Sequence, residues 1–125
     1  MTEPHDPVTD EVIGLAIEVH KALGPGLLES AYEECLAYEL KQHDVPFQRQ
    51  VPLPVVYKGV RLDCGYRMDL VVREELILEL KTVDRIASIH EAQLLTYLKL
   101  ARLPKGLILN FNEATLRSGI RRMVL

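Results

Sequence analysis

Hydrophobic positions along the chain recur first with a helical period and later with a strand period. Val12, Ala16, Val19 and Leu23 fall at steps of three and four, which lines one face of a helix. Thr9 is its expected N-cap, with Asp10 and Glu11 favourable in the first turn and Gly24-Pro25-Gly26 as the stop. A second helix is expected over residues 28–43, with Leu28, Ala31, Cys35 and Tyr38 toward the core. Pro46, Pro52 and Pro54 then favour an extended edge segment. Residues 55–57 and 60–62 flank Lys58-Gly59 and read as a hairpin. Residues 66–72 and 76–82 are apolar, β-rich runs around Arg73-Glu74-Glu75, a second hairpin without the usual glycine. A third helix is expected over residues 89–101, with Leu94, Leu98 and Ala101 on one face and His90, Gln93 and Tyr97 on another. The near-continuous apolar run at 107–111 reads as a buried parallel strand, reached by a right-handed crossover. Residues 119–125 are the candidate last strand. The pattern predicts one α/β domain over residues 9–125, with a mixed central sheet flanked by helices, and a flexible arm over residues 1–8.

Composition narrows the class. At 125 residues, 48% hydrophobic and 26% charged, the chain has the make-up of a soluble globular domain with a real core. No apolar run approaches the length of a membrane span, so no membrane partner is expected. The opening Met-Thr-Glu-Pro-His-Asp lacks the basic-then-apolar layout of a secretion signal, which predicts a cytoplasmic protein. Cys35 and Cys64 show no C-x-x-C spacing and are expected to be reduced, buried thiols. A net charge of −3 counts against a global basic field and tight, non-specific duplex binding. It leaves phosphate chemistry open where a bound metal supplies the positive charge.

The candidate chemistry lies in the second hairpin. If Arg73-Glu74-Glu75 is the loop, Val72 pairs with Leu76, and counting back sets Asp69 opposite Glu79. Opposed residues on antiparallel strands share a face, and Lys81, two residues beyond Glu79, shares it too. Leu70, Val72, Leu76, Leu78 and Leu80 supply a buried face, while Met68 and Ile77 keep the other partly apolar. Charges on strands this apolar call for compensation, because like charges held together raise each other's pKa. Mg²⁺ provides it, being held by one or two carboxylates together with water and phosphate oxygens.

Asp69 followed by Glu79-x-Lys81 on the next strand resembles the PD-(D/E)XK nuclease superfamily, with its restriction-endonuclease-like fold. Gly26-Leu27-Leu28-Glu29-Ser30-Ala31-Tyr32 matches the G-x-x-E-x-x-Y signature of the GxxExxY family within it. His90-Glu91-Ala92-Gln93-Leu94-Leu95-Thr96-Tyr97-Leu98 and the Gly106–Asn112 block are similar to later parts of that family. Met68 stands where the superfamily's name has proline.

The resemblance implies a Mg²⁺-dependent phosphodiesterase acting on nucleic acid, DNA ahead of RNA, with Mn²⁺ as a possible substitute. Asp69, Glu79 and the Leu80 carbonyl would hold the metal, Lys81 would position the attacking water, and Glu29 would complete the acidic shell. Gln93 and Tyr97 match a Q-x-x-x-Y pattern that orients the site or meets nucleic acid in related nucleases, and His90 is a further candidate contact. Tyr32 is expected in the core with its hydroxyl bonded to a site group, and His20 is expected to be structural. No helix-turn-helix, zinc finger or basic arm is visible, so a homodimer or a protein partner is expected to supply recognition. Two other readings remain: a nuclease-fold binding or assembly module that does not cleave, and a metal-dependent hydrolase of a smaller phosphorylated substrate.

Overall fold

The computed structural model describes residues 6–125. Helix α1 (Pro7–Leu23) starts earlier than Thr9 implies, because Asp6 is the cap. The Asp6 carboxylate accepts from the Val8 and Thr9 amides, and Pro7 sits in the first turn, where a missing N–H does no harm. Thr9 lies inside the helix and donates its hydroxyl to Asp6 at 2.7 Å. Hydrogen bonds from Lys105, then Thr9, hold the Asp6 carboxyl down at about 2. Residues 7 and 8 of the expected flexible arm are thus helical, and residues 1–5 lie outside the described residues.

Helix α2 (Glu29–Gln42) buries Tyr32, Glu33, Leu36, Ala37 and Leu40. The expected stripe was offset by one position: Leu28 is 78% and Tyr38 62% exposed. Tyr32 explains the rotation. Its ring is fully buried and stacks on Phe111 at 4.5 Å between centroids. Its hydroxyl donates to the Gly24 carbonyl at 2.6 Å and accepts from the Leu27 amide at 3.1 Å. The expected bond to a site group is therefore replaced by one that closes the loop between α1 and α2. His20 is structural, its Nε2 lying 2.8 Å from the Glu113 carbonyl.

The strands in chain order are β1 (Phe47–Pro52), β2 (Val55–Tyr57), β3 (Val60–Leu62), β4 (Arg67–Val72), β5 (Leu76–Lys81), β6 (Lys105–Asn110) and β7 (Ile120–Val124), with α3 (Ser88–Ala101) between β5 and β6. The central sheet runs β1-β4-β5-β6-β7, and β2-β3 is a separate hairpin. Lys58 and Gly59 both take positive φ in that hairpin's turn, as a tight two-residue turn requires. β5 and β6 are parallel; every other pair is antiparallel. Burial of β5 on both faces follows from a core on each side. Leu70, Leu76, Leu78, Leu80 and Leu107 pack beneath α1 and α2, while Ile77 and Ile108 meet Leu94, Tyr97 and Leu98 of α3. Tyr97 belongs to this core, so the expected separation of Tyr97 from the packed face of α3 does not hold. Cys35 is half-buried and Cys64, between β3 and β4, is exposed, so the expectation of two buried thiols fails for Cys64. Among the described residues no helix is long and apolar enough to cross a membrane.

Candidate active site

The β4–β5 turn has the register expected from sequence: Val72↔Leu76, Val71↔Ile77 and Leu70↔Leu78. Arg73 and Glu74 adopt φ of 52° and 57°, so two non-glycine residues carry the left-handed turn. The ladder then stops. One position further, Asp69 is half-buried, and its Oδ2 accepts the Leu80 amide at 2.9 Å in place of a backbone partner. Glu79 is only 8% exposed, between Leu78 and Leu80, and pairs with Ile108 on β6. Its Oε1 is buried with no hydrogen-bond partner among the described residues. Burial foremost, then the neighbouring Asp69 charge, pushes the Glu79 carboxyl up to about 8 against the pull of Lys81. Asp69 is raised as well, mainly by burial, with the Leu80 amide opposing.

Glu29 arrives from the first turn of α2. Its side chain is exposed, yet contact with the protein desolvates it enough to raise its pKa. Lys81 draws that pKa down, and Asp69 and Glu33 add to the rise. Asp69, Glu79, Lys81 and Glu29 therefore lie within electrostatic reach of one another. One helical turn after Glu29, buried Glu33 is held by Arg49 through Nη2 at 2.9 Å and Nε at 3.2 Å. The Gln50 amide donates to the other Glu33 oxygen at 2.7 Å and favours the charged form of nearby Asp69.

From the α3 side, Tyr97 faces the same acids. Burial raises its hydroxyl pKa most; the Gln93 amide, which donates to it at 3.0 Å, opposes, and Glu79 and Asp69 add to the rise. Tyr66, just before β4, meets the Tyr97 ring edge-on at 6.1 Å. His90 plays a local part, its Nδ1 accepting the Ala87 amide at 3.0 Å at the start of α3. Buried Asn110 pairs with Lys81 across β5–β6, and its side chain accepts from the Val83 amide and donates to the Val83 carbonyl. The segment leaving Lys81 is fixed in this way.

A family model described as the PD-(D/E)XK nuclease superfamily matches residues 6–123. The chain belongs to that superfamily. No curated protein and no solved structure gives a significant match. The five-stranded mixed sheet between helices agrees with the superfamily's restriction-endonuclease-like fold.

Superfamily nucleases generally work with divalent metal ions. The residues here fit such an ion: an orphaned, buried carboxylate oxygen of Glu79 stands beside a second half-buried carboxylate, Asp69. Among the described residues, no group of three or more His, Cys, Asp or Glu side chains is arranged to hold a metal. A site in this chain would therefore rely on a carboxylate pair, main-chain oxygen, water and phosphate, a donor set that suits a hard divalent cation. Glu33, Arg49 and Gln50 were not singled out from sequence. Glu33 carried a usable signal, since it lies four residues after Glu29 on the same helical face. Nothing in the local pattern marked Gln50.

Proposed function

We propose that this superfamily member is a Mg²⁺-dependent nuclease of the GxxExxY branch that hydrolyses phosphodiester bonds, of DNA ahead of RNA. The observation that carries this reading is the Glu79 carboxylate, buried with one oxygen unpartnered and next to Asp69 and Lys81. Such a group stays ionised in a fold only where it meets a cation. Asp69 and Glu79, with the Leu80 carbonyl, would hold Mg²⁺ or Mn²⁺. When bound, that ion supplies Lewis-acid polarisation of the phosphate and acidifies water.

Lys81 ends β5, paired across the sheet with Asn110, and its side chain would donate to the attacking water and to charge growing on phosphate oxygen. In hydrolysis the water oxygen bonds to phosphorus, and the P–O bond to the leaving sugar oxygen breaks. Glu29, exposed and with a raised pKa, would accept the water's proton. Gln93 and Tyr97 would align the substrate, and His90, at the start of the same helix, would lie farther along its path.

A non-cleaving binding module is the second reading, favoured by the net charge of −3. Either way a second copy or a protein partner would help to hold a long substrate, in a cytoplasmic setting. The test is cleavage of single- and double-stranded DNA and RNA, short oligonucleotides and free nucleotides with Mg²⁺ or Mn²⁺. Lys81→Ala should lose turnover by roughly 100-fold or more while keeping metal binding. Asp69→Asn should lose both. Wild type that cleaves nothing on this panel, and binds as both variants do, sinks the nuclease in favour of the module. Cleavage confined to free nucleotides points to the smaller-substrate hydrolase.

A further inference from the structure

Gln50 is the one non-glycine residue among the described residues that takes a left-handed φ, 50°, inside a strand. That conformation is unfavourable for a residue with a Cβ, and a longer side chain lacks the local bonding that helps Asn or Asp. Burial does not compensate for it, because Gln50 is exposed. The pairing of β1 with β4 is interrupted at the same place. It runs Phe47↔Val72, Gln48↔Val71 and Arg49↔Leu70, omits Gln50 and Asp69, and resumes at Val51↔Met68.

The pleat inverts across this gap. Phe47 and Leu70 belong to the core beneath α1 and α2, whereas Val51 and Met68 pack into the core on the α3 side. In an uninterrupted strand Phe47 and Val51, or Met68 and Leu70, would share a face. The side chain freed by the inversion reaches buried Glu33, at 2.7 Å, beside the Asp69 carboxylate. Glu33 is itself locked by both guanidinium contacts from Arg49.

We propose that Gln50 is a positioning residue: its amide, anchored on the Arg49–Glu33 pair, sets the orientation of Asp69 for the metal. This rests on the nuclease reading and extends it to a strand outside the hairpin that carries the acids. The geometry gives the amide one acceptor, Glu33, and the skipped register sets Gln50 opposite Asp69. The Leu80 amide holds Asp69 from β5, and Gln50 stands across from it on β1, so the carboxylate lies between groups from both neighbouring strands.

The test compares wild type with Gln50→Gly and Gln50→Asn. Both replacements accept the left-handed backbone, glycine without a side chain and asparagine with an amide one methylene too short. Mn²⁺ affinity is read on the protein alone by electron paramagnetic resonance of the ion, without nucleic acid. Turnover and KM are then read on whichever substrate wild type cleaves, alongside melting temperature. Loss of an outer hydrogen bond to a ligand predicts a fall of about 10–100-fold in Mn²⁺ affinity or kcat, with KM and melting temperature nearly unchanged. Wild-type affinity and kcat in both variants would overturn the proposal, leaving Gln50 as a shaper of β1. A rise in KM alone would overturn it too, because Gln50 would then touch substrate directly. So would a drop in melting temperature in both variants that tracks the lost activity. Wild type that neither binds Mn²⁺ nor cleaves any substrate removes the nuclease reading itself, and this proposal with it.

Discussion

Glu79 is a buried carboxyl with one oxygen unpartnered among the described residues. Its pKa of about 8 means that the folded, metal-free protein keeps a proton there which the unfolded chain has lost by ordinary carboxylate pH. Stability from this group is therefore full below about pH 4.5 and declines as pH rises through about 8, the reverse of the usual paired carboxylate. Asp69 and Glu29 are raised as well and tilt stability the same way. Denaturant titrations with chelator present, from about pH 5 to pH 8.5, should show wild type losing on the order of a few kcal/mol of stability. Glu79→Gln keeps the shape and removes the charge, so it should flatten that slope and be the more stable protein at the alkaline end. A wild-type protein that grows more stable across the window would contradict the buried, unpartnered carboxylate.

The elements around the site are joined by polar side chains as much as by packing. Asn110 at the end of β6 is fully buried, and both ends of its amide are occupied by Val83, two residues past Lys81. Gly119, at the end of the short 3₁₀ turn before β7, lies directly over it. A Cβ at position 119 would come within 2.4 Å of the Asn110 carbonyl oxygen and 3.1 Å of its Cβ. Backbone cannot yield there without moving β6 against β7, so Gly119→Ala should destabilise the fold by roughly 1–3 kcal/mol. The shift of the Asn110 clamp should also reduce activity in the protein that remains folded. Thermal melts together with specific activity per folded molecule check this; an unchanged melting temperature would mean that the turn adapts freely. Tyr32 does the same kind of work between α1 and α2, where its hydroxyl holds the Gly24–Leu27 loop and so sets the position from which Glu29 enters. The G-x-x-E-x-x-Y spacing thus has a structural half and a site-directed half.

At the scale of the whole molecule, metal and fold should be coupled, because the acids come from β4, β5 and α2 and meet only when the sheet and helices assemble. Mg²⁺ or Mn²⁺ at ~10 times its dissociation constant should stabilise wild type by about 1 kcal/mol, several degrees in melting temperature for a domain of this size. Asp69→Asn should remove most of that shift; an equal shift in both proteins would locate the ion elsewhere. The sequence by itself was sufficient for much of this arrangement. The order of helices and strands, the Lys58-Gly59 turn, the parallel β5–β6 pair and the β4–β5 register follow from local periodicity and turn length, which a single chain segment encodes. The proximity of Asp69, Glu79 and Lys81 was legible for the same reason: they lie within thirteen consecutive residues whose register can be counted. Three matters needed the tertiary structure. Which stripe of α2 is buried depended on Tyr32 finding Phe111 and the Gly24 carbonyl. How far Glu79 is desolvated depended on cores closing over both faces of β5. The part played by Gln50 depended on a left-handed residue and an inverted pleat, where contacts to α2 and β4 outweigh the local backbone preference. Periodicity records what a segment prefers; these features are set by partners distant in the sequence, and only packing brings those partners into contact.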